Sequence, residues 1–243
     1  MVRSRVVASC FLMFTAFPSA GSAQSKSKNS YTVSVHELSI PDGALAAFNK
    51  GIRLLAAQDQ ARSIGEFRRA IKKFPRYYEA YDKMGIAEVE LKRDDEAEQA
   101  FRRAIELSGG RYAEPHFALG VILCDDHKNF AEAETVIRDG LNIDPTDAAG
   151  HFALAWLLYT TNRLPEAEAS ARDSIFYAPN SPLPYALLAE IHLRENNRPA
   201  LVQDLDTYLK LDPNGSFRAK ALAARADAER VLAQRTSASL PPQ

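Results

Sequence analysis

Cys124, Asp125, Asp126 and His127 put a thiol, two carboxyls and an imidazole side by side, and they are the densest run of metal-binding side chains in this 243-residue chain. A structural zinc site needs four donors that converge on one ion at about 2.0–2.3 Å. Consecutive residues at one turn, with no second cluster to meet them, do not converge, so no metal is expected there. His116 and His151 lie 35 residues apart and each fills a bulky slot in an amphipathic stretch, which reads as packing. The chain has no Gly-rich phosphate loop, no nucleophile elbow and no pair of histidines on one helical face. No catalytic residue and no cofactor is expected, and the chain reads as a non-enzyme.

A second group of candidates is basic. Arg68, Arg69, Lys72, Lys73 and Arg76, then Arg102 and Arg103, form a stripe that could hold an anionic polymer. Glu66, Glu98 and Glu106 interleave with it, as on a solvated helix face. The whole chain has 30 Lys+Arg against 31 Asp+Glu. That balance gives no electrostatic reason to expect nucleic acid or an anionic membrane as partner. With 46% apolar residues, the chain can bury a sizeable core.

The elements that must position these residues repeat. Phe74-Pro75, Asp144-Pro145, Ala178-Pro179 and Asp212-Pro213 each close an amphipathic stretch, with prolines 70, 34 and 34 residues apart. The missing boundary falls at Ser108-Gly109-Gly110, which stops a helix as well as proline does. A fixed period near 34 with helical patterning throughout predicts a solenoid of helix pairs. A single pair cannot bury its apolar face, so the pairs must stack.

The residues that carry the period resemble tetratricopeptide repeats (TPR). Tyr81, Met84-Gly85, Ala97, Phe101 and Ala104 match that family's pattern of a bulky residue, a Leu-Gly-like step, and a small–aromatic–small second helix. So do Leu119-Gly120, Leu154-Ala155 with Leu158 and Ala167, and Tyr185 with Leu188-Ala189; Gly51, Leu54, Phe67, Ala70 and Pro75 match in the first repeat. The resemblance implies an all-α, right-handed superhelical solenoid of five helix pairs, at residues 44–77, 78–112, 113–147, 148–181 and 182–215. Small residues at Gly51, Gly85, Gly120, Ala155 and Ala189 let the helices of a pair approach, and bulky ones fill the gaps between pairs. Three departures stand out: Ala47 in a slot for an aromatic, a thin second helix at Ala171 and Ser174, and one extra residue in the turn at 125–129.

In that family the first helices line a concave groove that binds peptides. Alignment of the repeats places Phe48, Ile52, Asp82, Ile86, Phe117, Val121, Phe152, Trp156 and Tyr159 on it. Leu55, Val89 and Cys124 continue the stripe. The spacing is i, i+4, i+7, separate from the packing stripe of the same helices. A helix apolar on both stripes must bury both, against a ligand, the C-terminal helix or a second copy. The lysines and asparagines with which chaperone-binding members clamp a terminal carboxylate are absent here, so no chaperone tail is expected. The expected partner is a protein or peptide segment. The alternative is a structural subunit that assembles through its ends or an N-terminal strand, with the groove self-occupied.

The flanks complete the layout. Arg3 and Arg5, the apolar run Val6–Phe17, Pro18 and the small residues to Ala23 have the three parts of a secretory signal peptide. The run is too short to span a bilayer core of about 30 Å, so no membrane span is expected, and the chain is expected to be exported to the periplasm or beyond. Residues 24–43 form a linker containing the alternating segment Tyr31–Ile40, read as a short extended element that caps the first repeat or joins a partner's sheet. Ser216 opens a capping helix over 216–235, and 236–243 reads as a disordered tail. Asn214-Gly215-Ser216 is a glycosylation sequon in form but reads as the turn after Asp-Pro.

Overall fold

The computed structural model describes residues 36, 39–125 and 128–238, so the signal-like segment and most of the alternating segment lie outside the described residues. Among the described residues there are eleven α-helices and no strand: α1 Asp42–Ala56, α2 Gln60–Lys73, α3 Tyr78–Glu90, α4 Asp94–Ser108, α5 Glu114–Asp125, α6 Phe130–Ile143, α7 Ala148–Thr160, α8 Leu164–Tyr177, α9 Pro182–Arg194, α10 Arg198–Leu211 and α11 Arg218–Ala238. Among them, none is long and apolar enough to cross a membrane. The chain divides into two compact units at Pro145/Thr146. The first holds the pairs α1–α2, α3–α4 and α5–α6; the second holds α7–α8, α9–α10 and α11.

Local chemistry fixes where each helix starts and stops. Asp59, Asn129, Asp147 and Asn197 accept a backbone N–H of the first turn at the starts of α2, α6, α7 and α10. Gly109 closes α4 in the left-handed conformation at φ 64°, where Gly110 N–H reaches the Ile105 carbonyl at 2.9 Å. Each turn within a pair carries one left-handed residue that is not glycine: Gln58, Lys92, Lys128, Asn162 and Asn196. Successive ones lie 34 residues apart, except for the 36 between Lys92 and Lys128.

Within the first unit, a large side chain of each second helix lies over a glycine of the first. A Cβ at Gly51 would stand 2.5 Å from Phe67 Cε1, one at Gly85 2.6 Å from Phe101 Cε1, and one at Gly120 2.3 Å from Ile137 Cγ1. Those three large residues are fully buried. In the second unit the thin helix α8 is tied differently: buried Ser174 donates its hydroxyl to the Ala148 carbonyl at 2.7 Å, joining α8 to the start of α7.

Two flank expectations change. His36 and Ser39 are helical, with Ser39 Oγ donating to the His36 carbonyl at 2.7 Å. An isolated strand leaves its backbone groups unpaired, whereas a helical turn satisfies them locally. His36 then stacks on Tyr78 with ring centroids 4.3 Å apart and meets Glu79 at 3.0 Å. The last helix begins at Arg218 and continues to Ala238, beyond the predicted 235, so 236–238 are helical. It packs on α10 as α3 packs on α2, α5 on α4 and α9 on α8, with Ala221 and Ala228 joining Leu201, Leu205 and Tyr208.

Candidate functional site

The nine predicted groove residues divide by burial. In the first unit, Asp82, Ile86, Phe117 and Val121 are buried, while Phe48 and Ile52 on α1 keep partial exposure. In the second, Phe152 is buried, and Trp156 and Tyr159 keep partial exposure. The reason is clearest on α5, where every residue from Pro115 to Cys124 is buried, as in any helix apolar all round. Phe117 fills the notch above Gly140 of α6, whose added Cβ would lie 2.5 Å from the ring. It is a packing residue of its own pair.

Asp82 is 1% exposed and belongs to an internal polar cluster. Lys83 Nζ lies 2.8 Å from its Oδ2, and the Tyr112 hydroxyl donates to the same oxygen at 3.2 Å. Burial works against the Lys83 ammonium, yet the adjacent Asp82 carboxylate holds its pKa above the ordinary lysine value. Burial, then the Asp82 charge, pushes the Tyr112 phenol well above its usual range. Asp82 Oδ1 has no partner in the protein.

The basic stripe is largely neutralised. Arg68 and Arg93 pair with buried Glu88 at 3.2 and 3.1 Å, Arg69 with Glu66, Arg102 with Glu98 and Glu132, and Arg103 with Glu106. A cavity of ≈ 630 Å³ is bordered by His36, Phe74, Arg76, Tyr78 and Arg111. There Arg111 Nε donates to the Ser108 carbonyl at 3.3 Å.

His116 is buried, and its Nδ1 donates to the Tyr112 carbonyl at 2.9 Å. Burial lowers its pKa from the ordinary value. A depressed folded-state pKa contributes stability that is complete above the unfolded pKa of about 6.5 and is lost as pH falls through the folded value. Urea midpoints measured from pH 7.5 down to 5 should therefore fall, and fall less steeply in His116→Phe, which keeps a bulky ring but cannot titrate. An unchanged slope would contradict the burial of a neutral imidazole.

A partly exposed aromatic surface lies on the first helices of the second unit. Trp156 and Tyr159 rings lie 5.8 Å apart, and the Arg194 guanidinium stands 3.8 Å over the Tyr159 ring. Arg194 Nη1 also donates to the Tyr159 carbonyl at 3.3 Å. Burial, then the Glu190 charge, raises the Tyr159 pKa, with Arg194 opposing. Glu190 is paired in turn with Lys220 of α11. The surface thus runs over α7, α9 and α11. In the second unit, α11 packs on α10, and its Lys220 pairs with Glu190 of α9.

Arg194, Glu190 and Lys220 were absent from the predicted set. For Glu190 and Lys220 the signal is a separation of one repeat less one helical turn, since Tyr112–Asp82, Gln60–Glu90 and Lys220–Glu190 are all 30 residues apart, whereas Arg194 lies 35 residues from Tyr159. A second missed group is buried His192 with Asp204, Glu168 and Glu195.

The tetratricopeptide repeat pattern matches residues 41–112 and 126–191, together more than half of the chain. The fold is similar to a thermophilic TPR protein from Thermus thermophilus, with TM-score 0.67 and 18% identity over 74% of this chain and 98% of that one. It is similar to PilW, a widely conserved type IV pilus biogenesis factor, with TM-score 0.67 and 19% identity over 82% of this chain and 96% of that one. The pilF protein of Pseudomonas aeruginosa is similar at TM-score 0.68 and 16% identity, over 81% and 87% of the two chains. At these identities the likeness is one of fold. No curated protein matches the chain.

Proposed function

The chain belongs to the tetratricopeptide repeat family, and from that premise we propose that it is an exported, non-enzymatic scaffold for a protein segment, working in cell-envelope assembly. The observation that carries the reading is the half-exposed Trp156–Tyr159 pair with Arg194 above it. Aromatic residues and arginine are the usual anchors of protein interfaces, and Trp and Tyr cover much area at small cost in side-chain entropy. A segment suited to this face places an apolar or aromatic side chain against Trp156 and an acidic group beside Arg194. Export is supported by the basic start, apolar run and small residues that end at Ala23. The envelope role is supported by that leader together with the fold shared with PilW and the P. aeruginosa protein.

Intact-mass measurement of the protein recovered outside the cytoplasm tests the export step. The expected mass begins at Gln24. A mass that retains Met1 to Ala23, or a lipid on Cys10, would contradict it. Peptide capture on the purified chain tests the binding step, and the face is examined by mutation below.

A further inference from the structure

The second unit holds a polar cluster that helix stacking does not require. His192 on α9 is 3% exposed and faces α8, the second helix of the preceding pair. Its Nδ1 lies 2.6 Å from Asp204 Oδ2 on α10, an acceptor that fixes the ring and its tautomer. The other nitrogen, Nε2, lies 3.5 Å from Glu168 Oε1 on α8, longer than a well-formed N–H···O bond of about 2.7–3.2 Å. Glu195, in the turn after α9, brings a third donor, and one ligand atom from each of Glu168, His192 and Glu195 lies within 4.8 Å of the other two.

The 3.5 Å between His192 Nε2 and Glu168 Oε1 suits two ligands of one ion. Two donors about 2.0–2.2 Å from a tetrahedral metal are separated by roughly 3.3–3.6 Å. Arg172 places Nε and Nη2 on the single oxygen Glu168 Oε1, at 3.1 and 2.6 Å, which leaves the second oxygen of that carboxylate outside this contact.

We infer that Glu168, His192 Nε2 and Glu195 bind a divalent first-row metal ion, with Asp204 as the outer carboxylate that orients the imidazole. One nitrogen and two carboxylate oxygens suit Zn²⁺, with water completing the coordination. The ion links α8 to α9, and so the fourth helix pair to the fifth. It acts as a brace between the two pairs.

The test is calorimetric titration of the full, untagged chain with Zn²⁺ after chelator treatment, read together with the melting temperature. One saturable site and a rise in melting temperature are expected. Glu195 is exposed, so Glu195→Gln keeps the fold and is expected to weaken Zn²⁺ at least tenfold; Asp204→Asn is expected to do the same through the ring it orients. Absence of saturable binding overturns the inference, as does a response unchanged in Glu195→Gln, which puts the ion elsewhere in the chain. An imidazolium held between Asp204 and Glu168, indifferent to Zn²⁺, is likewise a refutation.

Discussion

Gly85→Leu is expected to lower the melting temperature of the first unit by several degrees. Even a methyl at Gly85 would stand 2.6 to 2.9 Å from three atoms of the Phe101 ring. Phe101 is wholly buried. Overpacking of this kind costs about 1–3 kcal/mol, and more for a side chain as large as leucine. In a chain of this length each kcal/mol moves the midpoint by about 2–4 °C. Gly120→Leu should do the same, against Ile137 Cγ1 at 2.3 Å. Gly65 is the control: nothing lies within 4 Å of its missing Cβ, so Gly65→Ala should be neutral or stabilise α2 by about 0.5–1 kcal/mol. Calorimetry of the three variants distinguishes close helix approach from a general dislike of substitution. Equal melting temperatures for Gly85→Leu and the parent would mean that the α3–α4 pairing is wrong.

Trp156→Ala is expected to cut affinity for a bound protein segment about thirtyfold, the effect of losing an anchor worth about 2 kcal/mol. Helical content should not change, because Trp156 is only half-buried and the core of its helix is carried by Phe152, Ala155, Leu157 and Leu158. Trp156 is the one tryptophan of the chain, so its fluorescence reports on this face alone. A melting temperature that falls sharply with no change in affinity would make the residue part of the core instead.

Much of the fold is legible in the sequence because the signal repeats. The glycines at 51, 85 and 120 and the closing prolines carry the same steric requirement in pair after pair, so each repeat reinforces the reading of the others. The edges are less legible. The alternation at Val33, Val35, Leu38 and Ile40 is too short to separate a strand from a turn of helix, and contacts of His36 with Tyr78 and Glu79 go with the helical turn. The candidate face is legible only in part. Repeat alignment identifies which residues share a helix face, but not which of them a neighbouring helix covers. Ile86, Phe117 and Val121 satisfy the pattern and are buried. Asp82, the polar exception in the stripe, is held inside by Lys83 and Tyr112, partners that no local pattern announces. Arg194 and His192 escape notice for the same reason. Their partners, Tyr159 and Glu168, belong to the preceding repeat, and only the packing of successive pairs makes them neighbours.

Site-specific photocrosslinking in the native host tests the central claim most directly. Thr160 is exposed and follows Tyr159 at the end of α7, while Phe176 on α8 is 78% exposed and serves as the comparison position. A photoreactive side chain at 160 is expected to give a discrete protein adduct that disappears when Trp156→Ala is added, and the probe at 176 is expected to give none of that adduct. The same adduct from both positions, or an adduct at 160 that survives Trp156→Ala, would contradict a binding face built on Trp156, Tyr159 and Arg194.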